Sequence, residues 1–170
     1  MAMKRQGKTA GLLVCCLLCI STLFSCNGEV SSGKETSNAD AAYAYYAVFE
    51  KLYSDDAGLN GGQYLAVDFE ESMLENKNIF IALMQRFCAE HNYILLLDTF
   101  DGLEEKGYIK DLYFEDGLYI SFDDTTLTSE KLVTAAKKWR SALGAIGFTF
   151  TVKKRLDGWQ ITDEADAWIS

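Results

Sequence analysis

The sequence predicts an α+β domain in which N-terminal helices pack on a curved antiparallel β-sheet. Three observations carry that expectation. Residues 41–53 and 77–91 repeat apolar side chains three and four apart, the spacing of one helical face. The C-terminal part alternates apolar and polar residues, the period of a half-buried strand. Asp-Gly pairs at Asp116-Gly117 and Asp157-Gly158 interrupt the alternating runs, and Asp-Gly suits a tight hairpin turn with positive φ at both central residues. Helices followed by strands make an α+β arrangement in which the helices cover the sheet.

Each element has its own signal. Asp40 is placed to cap a first helix, Ala41–Tyr53, whose stripe is Ala42, Tyr45, Phe49 and Leu52. SDDAGLNGG, Ser54–Gly62, ends it with three glycines. No Lys-Ser or Lys-Thr follows, so this is no phosphate loop. QYLAVDF puts Leu65, Val67 and Phe69 on one face of a half-buried strand. Lys77–His91 aligns Ile79, Leu83 and Phe87 beside Phe80, Met84 and Cys88, and Asn92 can end the helix in a left-handed conformation. Tyr93–Leu97 is apolar on both faces and reads as a buried strand, and Gly102–Lys106 reads as a short helix stopped by Gly107. The first Asp-Gly turn joins Leu112 and Phe114 to Leu118, Ile120 and Phe122. The second joins Phe148, Phe150 and Val152 to Trp159 and Ile161.

Between the turns, Leu132, Ala136, Trp139 and Leu143 follow helical spacing, with Ser129 as cap and Gly144 as stop. Yet KKWRSALGAIG, Lys137–Gly147, with Trp159 and the AWIS of Ala167–Ser170, resembles stretches in small uncharacterised secreted α+β domains of bacteria. That resemblance implies a sheet edge followed by a closing hairpin, and strand is the expectation for Lys131–Arg140. The whole arrangement is similar to cystatin-like and nuclear-transport-factor-like folds, an analogy of architecture alone, since fold does not give function.

The N-terminus supplies an address. Lys4, Arg5 and Lys8 precede an uncharged stretch, Thr9–Phe24, whose apolar core, 10–20, is shorter than the roughly 20 residues that span a bilayer. This is the pattern of a secretory signal. At its end, Leu23, Phe24, Ser25 and Cys26 resemble the lipobox of bacterial lipoproteins. The resemblance implies removal of a signal peptide, residues 1–25, and a diacylglycerol on the Cys26 thiol. Ser25 fits the small residue before the cut and Leu23 the aliphatic one two before that, while Phe24 departs from the usual small or branched residue. The competing reading is an ordinary signal peptide with Cys26 later oxidised. Cys15, Cys16 and Cys19 would leave with the signal, and Cys88 would be the one partner left for Cys26, so the five cysteines do not make a disulfide scaffold.

Residues 26–39 are small and polar and read as a flexible tether; 13 such residues from Asn27 to Ala39 span roughly 20 Å. Residues 40–170 form a single domain. The chain carries 16 basic and 25 acidic side chains, and because residues 1–25 hold three basic and no acidic ones, the remainder is at −12. That charge opposes nucleic acid and favours a cationic protein or peptide as partner.

Candidate chemistry is sparse. Cys88 and His91, three apart in FCAEHN, lie on neighbouring helical turns, where imidazole can activate a thiol. Cys88 also continues the apolar line, as a buried thiol does. Acidic pairs stand at Asp55/Asp56, Glu70/Glu71, Glu104/Glu105 and Asp123/Asp124, and a glycosidase needs two converging carboxylates. The calcium-loop pattern is absent, since Asp98 and Asp101-Gly102 lack the intermediate ligands, and one histidine with one remaining thiol is a poor zinc set. No metal, cofactor or nucleotide is expected. Lys137, Lys138, Trp139 and Arg140 form the one basic-aromatic cluster, and Trp139 and Arg140 are the candidate binding residues. The expectation is a lipid-anchored, non-enzymatic binding or inhibitor-type protein of the cell envelope. The alternative is an envelope hydrolase using Cys88/His91 or a carboxylate pair.

Overall fold

The computed structural model describes residues 35–170. In chain order the elements are α1 Glu35–Ser54, β1 Tyr64–Asp68, α2 Asn78–His91, β2 Ile94–Leu97, α3 Phe100–Glu105, β3 Gly117–Leu127, β4 Lys131–Ser141, β5 Gly144–Arg155 and β6 Gly158–Ile169. The six strands make one sheet in the order β2-β1-β3-β4-β5-β6. The α+β class holds, but the sheet is mixed and not antiparallel throughout. β1 pairs in parallel with β2 and β3, and only β3 to β6 form an antiparallel meander. The physical reason is the connections. Parallel strands need a crossover, and the chain places α2 between β1 and β2, and α3 between β2 and β3.

α1 and α2 cover one face. Their stripes pack as the spacing requires, with Ala42, Tyr45, Phe49 and Leu52 buried alongside Phe80, Met84, Phe87 and Cys88, while Ile79 flanks the core and Leu83 is half-buried. Phe80 lies at its centre, with the rings of Phe69, Phe122 and Tyr45 at 4.9, 5.9 and 6.3 Å in edge-on geometry. Such pairs add about 0.5–1.5 kcal/mol each beyond area burial. α3 covers part of the other face, over a smaller cluster of Ala66, Leu103, Ile109, Phe114 and Tyr119.

Several boundaries differ from the expectation. α1 begins at Glu35, so Asp40 lies inside the helix and is not its cap. β1 is buried on both faces, because helices lie on both sides of it; Ala66 belongs to the smaller cluster and Leu65 and Val67 to the larger. β2 is an edge strand, with Ile94 and Leu97 each 47% exposed, and is not buried. Asn92 does end α2 at φ 61°, and Lys131–Arg140 is strand within β4, with Leu132, Thr134, Ala136 and Lys138 all turned inward.

Asp116-Gly117 is not a hairpin. Leu112 and Phe114 precede the sheet as loop, and Gly117 opens β3 opposite Tyr64. The Asp116 carbonyl accepts from the Gln63 and Tyr64 amides, which fixes this entry against β1. The Phe114 ring covers Gly117 so closely that a β-carbon there would sit 2.5 Å from Cε1. The second turn forms one residue early: Leu156 and Asp157 are its centre, and Gly158 alone takes the positive φ, at 120°.

Candidate functional site

Alternation along β4 divides its side chains between two environments. Thr134, Ala136 and Lys138 point under the helices, and Ala135, Lys137 and Trp139 point to the opposite face. α3 reaches only as far as Trp139, whose ring packs 4.8 Å from Phe100. Beyond it the face is open. A groove of about 210 Å³ runs across the meander there, lined by Ser121 and Asp123 on β3, Lys137 on β4, Thr149 on β5, and Asp166 and Trp168 on β6.

Trp168 is the largest side chain of this groove and is 44% exposed. It lies across Gly147, its partner on β5, in the space a side chain would fill: a β-carbon on Gly147 would be 2.6 Å from the indole Cζ2. An extra residue on β6 between Ala165 and Trp168 bulges the ladder, and Asp166 takes φ 52° there. Bulges re-aim the side chains next to them. Asp123 and Asp166 are exposed and enter no ion pair within 4 Å among the described residues. Lys137 turns aside, its Nζ 5.7 Å from the centre of the Tyr119 ring.

The basic-aromatic cluster read from the sequence does not form one patch, because consecutive strand residues face opposite ways. Trp139 packs between Phe100 and Tyr119. Arg140 donates from Nη2 to the Glu115 carbonyl at 2.7 Å. Lys138 is fully buried. Its ammonium donates to the carbonyls of Leu52, Tyr53, Asp55 and Asp56 at 3.0, 3.3, 2.5 and 3.1 Å, at the C-terminal end of α1. A cation there meets both the carbonyls that end the helix and the negative end of the helix dipole. Burial pushes its pKa down to about 8, against the pull of Asp56 and Asp55.

Cys88 sits in the main core, and burial pushes its thiol up to about 11, away from thiolate chemistry at neutral pH. The His91 ring stacks on Phe87 at 3.9 Å, with Nδ1 2.9 Å from the Phe87 carbonyl, so the imidazole is directed at its own helix. The acidic pairs separate. Asp124 is buried and accepts from the Tyr45 hydroxyl and, at 2.7 Å, from the Met73 amide, while Asp123 faces the open groove. Asp55 pairs with Lys51, and Glu70, Glu71, Glu104 and Glu105 are exposed. Among the described residues no three His, Cys, Asp or Glu side chains are grouped to hold a metal, and no helix is long and apolar enough to cross a membrane. Cys26 and residues 1–25 lie outside the described residues.

A second cleft, about 380 Å³, lies at the carboxyl ends of β1 and β2. Most of its charged groups are already engaged: Asp68 accepts from the Tyr119 hydroxyl at 2.6 Å, Asp98 pairs with Lys106, and Lys77 donates to the Phe69 carbonyl at 3.0 Å, while Glu70 is exposed at the rim. The open groove instead combines an exposed ring with unengaged carboxylates. Its principal residue, Trp168, enters the sequence reading only within AWIS. Its partner Gly147 is 21 residues away and meets it through a register that a bulge shifts.

Comparison with protein-family models, with curated proteins and with solved structures finds no match to this chain. The functional reading therefore rests on its own geometry.

Proposed function

We propose that this chain is a lipid-anchored lipoprotein of the bacterial cell envelope, attached through Cys26, whose domain is a non-enzymatic binding module. The observation that carries the binding role is the uncovered face of β3 to β6, where Trp168 stands exposed beside Asp123 and Asp166. Exposed aromatics rimmed by polar groups are characteristic of contact surfaces. The acidic balance of the chain favours a cationic partner. The analogy with cystatin-like and nuclear-transport-factor-like architecture adds no function to this reading. A hydrolase built on Cys88/His91 would need a thiol that ionises readily, and burial opposes that.

The test compares the parent protein with Thr149→Arg, which fills the groove floor without entering the core. Each is captured by affinity from its own envelope after mild cross-linking. A component held by the parent and lost by the variant supports binding at this face. Equal capture by both, or none by the parent, overturns it. In the same cells Cys26→Ser should move the protein from the membrane fraction to the soluble fraction.

A further inference from the structure

The recognition chemistry of the groove is narrow. Its floor strands are hydrogen-bonded to one another, so free backbone groups are confined to the bulge between β5 and β6 and to the outer edge of β6. Side chains must do most of the recognising. Beside the Ser121 and Thr149 hydroxyls they are one indole, 44% exposed and backed by Gly147, and two exposed carboxylates without an ion-pair partner among the described residues. The one lysine of the lining is turned toward Tyr119. An anionic ligand is repelled by both aspartates. A purely apolar ligand would have to desolvate them. A cation satisfies both features at once, since the face of an indole attracts positive charge and the carboxylates pair with it. Among cationic side chains, the planar guanidinium of arginine both stacks on an aromatic ring and pairs with carboxylates in a fixed fork.

We propose that the Trp168 groove receives an arginine side chain presented by a basic segment of a partner protein, stacked on the indole and paired with Asp123 and Asp166. This rests on the binding role proposed above and names its partner chemistry. β6, which supplies Trp168 and Asp166, is also the last strand of the sheet, and Asp163, opposite Thr151, lies on the same strand, whereas Glu164 is held by Lys51 on the helix side. The approach to the groove is thus acidic, as a basic segment requires.

The probe is a capped Gly-Arg-Gly peptide, with the neutral citrulline peptide as its isosteric control. It is titrated into the full-length protein in neutral detergent micelles while the backbone amide resonance of Thr149, in the groove floor, is followed. The arginine peptide should shift that resonance, and its affinity should fall about tenfold with either Trp168→Ala or the double Asp123→Asn, Asp166→Asn. Gly147→Ala retains every charge but evicts the ring, and should weaken binding as Trp168→Ala does. Equal binding of the citrulline peptide overturns the proposal. So does arginine binding that survives both Trp168→Ala and Gly147→Ala, which marks diffuse attraction to an acidic surface. If envelope capture still depends on Thr149 while neither peptide binds, the binding role stands and the arginine assignment fails; loss of both results overturns both.

Discussion

Replacing Lys138 by Met keeps most of the apolar stem and removes the ammonium from a fully buried site. Four carbonyls lose a donor. Two retain one: Asn60 Nδ2 donates to Tyr53 at 2.8 Å, and the Leu59 amide donates to Asp56 at 3.0 Å. The Leu52 and Asp55 carbonyls bear most of the loss. At about 1–3 kcal/mol per unsatisfied buried group, less the cost of keeping an ammonium out of water, the net expectation near neutral pH is about 2 kcal/mol of lost stability. The pH dependence carries the sharper test. The pKa of Lys138 is lowered from 10.5 to about 8 in the folded protein. Between those values the unfolded chain holds the proton that the folded chain has released, so this residue makes the parent more stable as pH rises. The limiting slope is about 1.4 kcal/mol per pH unit. Urea unfolding of parent and Lys138→Met from about pH 7.5 to about 9.5 should show a gap that widens with pH, other titrations cancelling between the two. A gap that stays constant would mean that the carbonyls hold the charge as firmly as water does, and the reasoning from burial would be wrong.

Two further predictions concern groups that burial keeps neutral. Tyr45 and Tyr119 have phenol pKa values raised above the ordinary value near 10, first by burial and then by hydrogen bonds to Asp124 and Asp68. Their contribution is complete below that value and is lost as pH rises above it, by up to about 1.4 kcal/mol per unit for each phenol; Tyr45→Phe should reduce the alkaline slope in unfolding titrations by one such share. Cys88, 3% exposed, should react with a thiol reagent only as fast as the domain opens, and Cys88→Ala should lower stability by about 1 kcal/mol; rapid labelling of folded protein would contradict both.

How much could be read from the sequence depended on how local the signal was. α2 was plain because its buried line Phe80, Met84, Cys88 and its terminator Asn92 lie within one segment. β4 was harder. Leu132, Ala136 and Trp139 fit a helical period as well, and the inward positions between them hold Thr134 and Lys138, which disguise the alternation. The buried lysine makes sense only when the end of α1, more than 80 residues earlier, is brought beside it. Parallel pairing left no mark that alternation could reveal, since the second face of β1 has one fully buried residue, the small Ala66, between half-buried Tyr64 and Asp68. The Asp116-Gly117 pair misled because Gly117 is required by the close approach of Phe114 and not by a reversal of the chain. The groove was the least legible feature. Trp168 needs Gly147 beneath it and Asp123 across two strands, and a bulge sets which residues meet.

The mixed sheet also has two very different entropies of assembly. Three residues separate β3 from β4 and two separate β4 from β5, whereas 48 residues lie between the end of β1 and the start of β3. Loop closure grows as three halves of RT ln n, so bringing β1 to β3 costs about 2.5 kcal/mol more than closing the first hairpin. The meander can register its strands from contacts between near neighbours, while β1 and β2 must wait for two helical crossovers to be gathered in. The groove lies wholly in the meander, so the contact surface is made of the chain segments that find one another most cheaply.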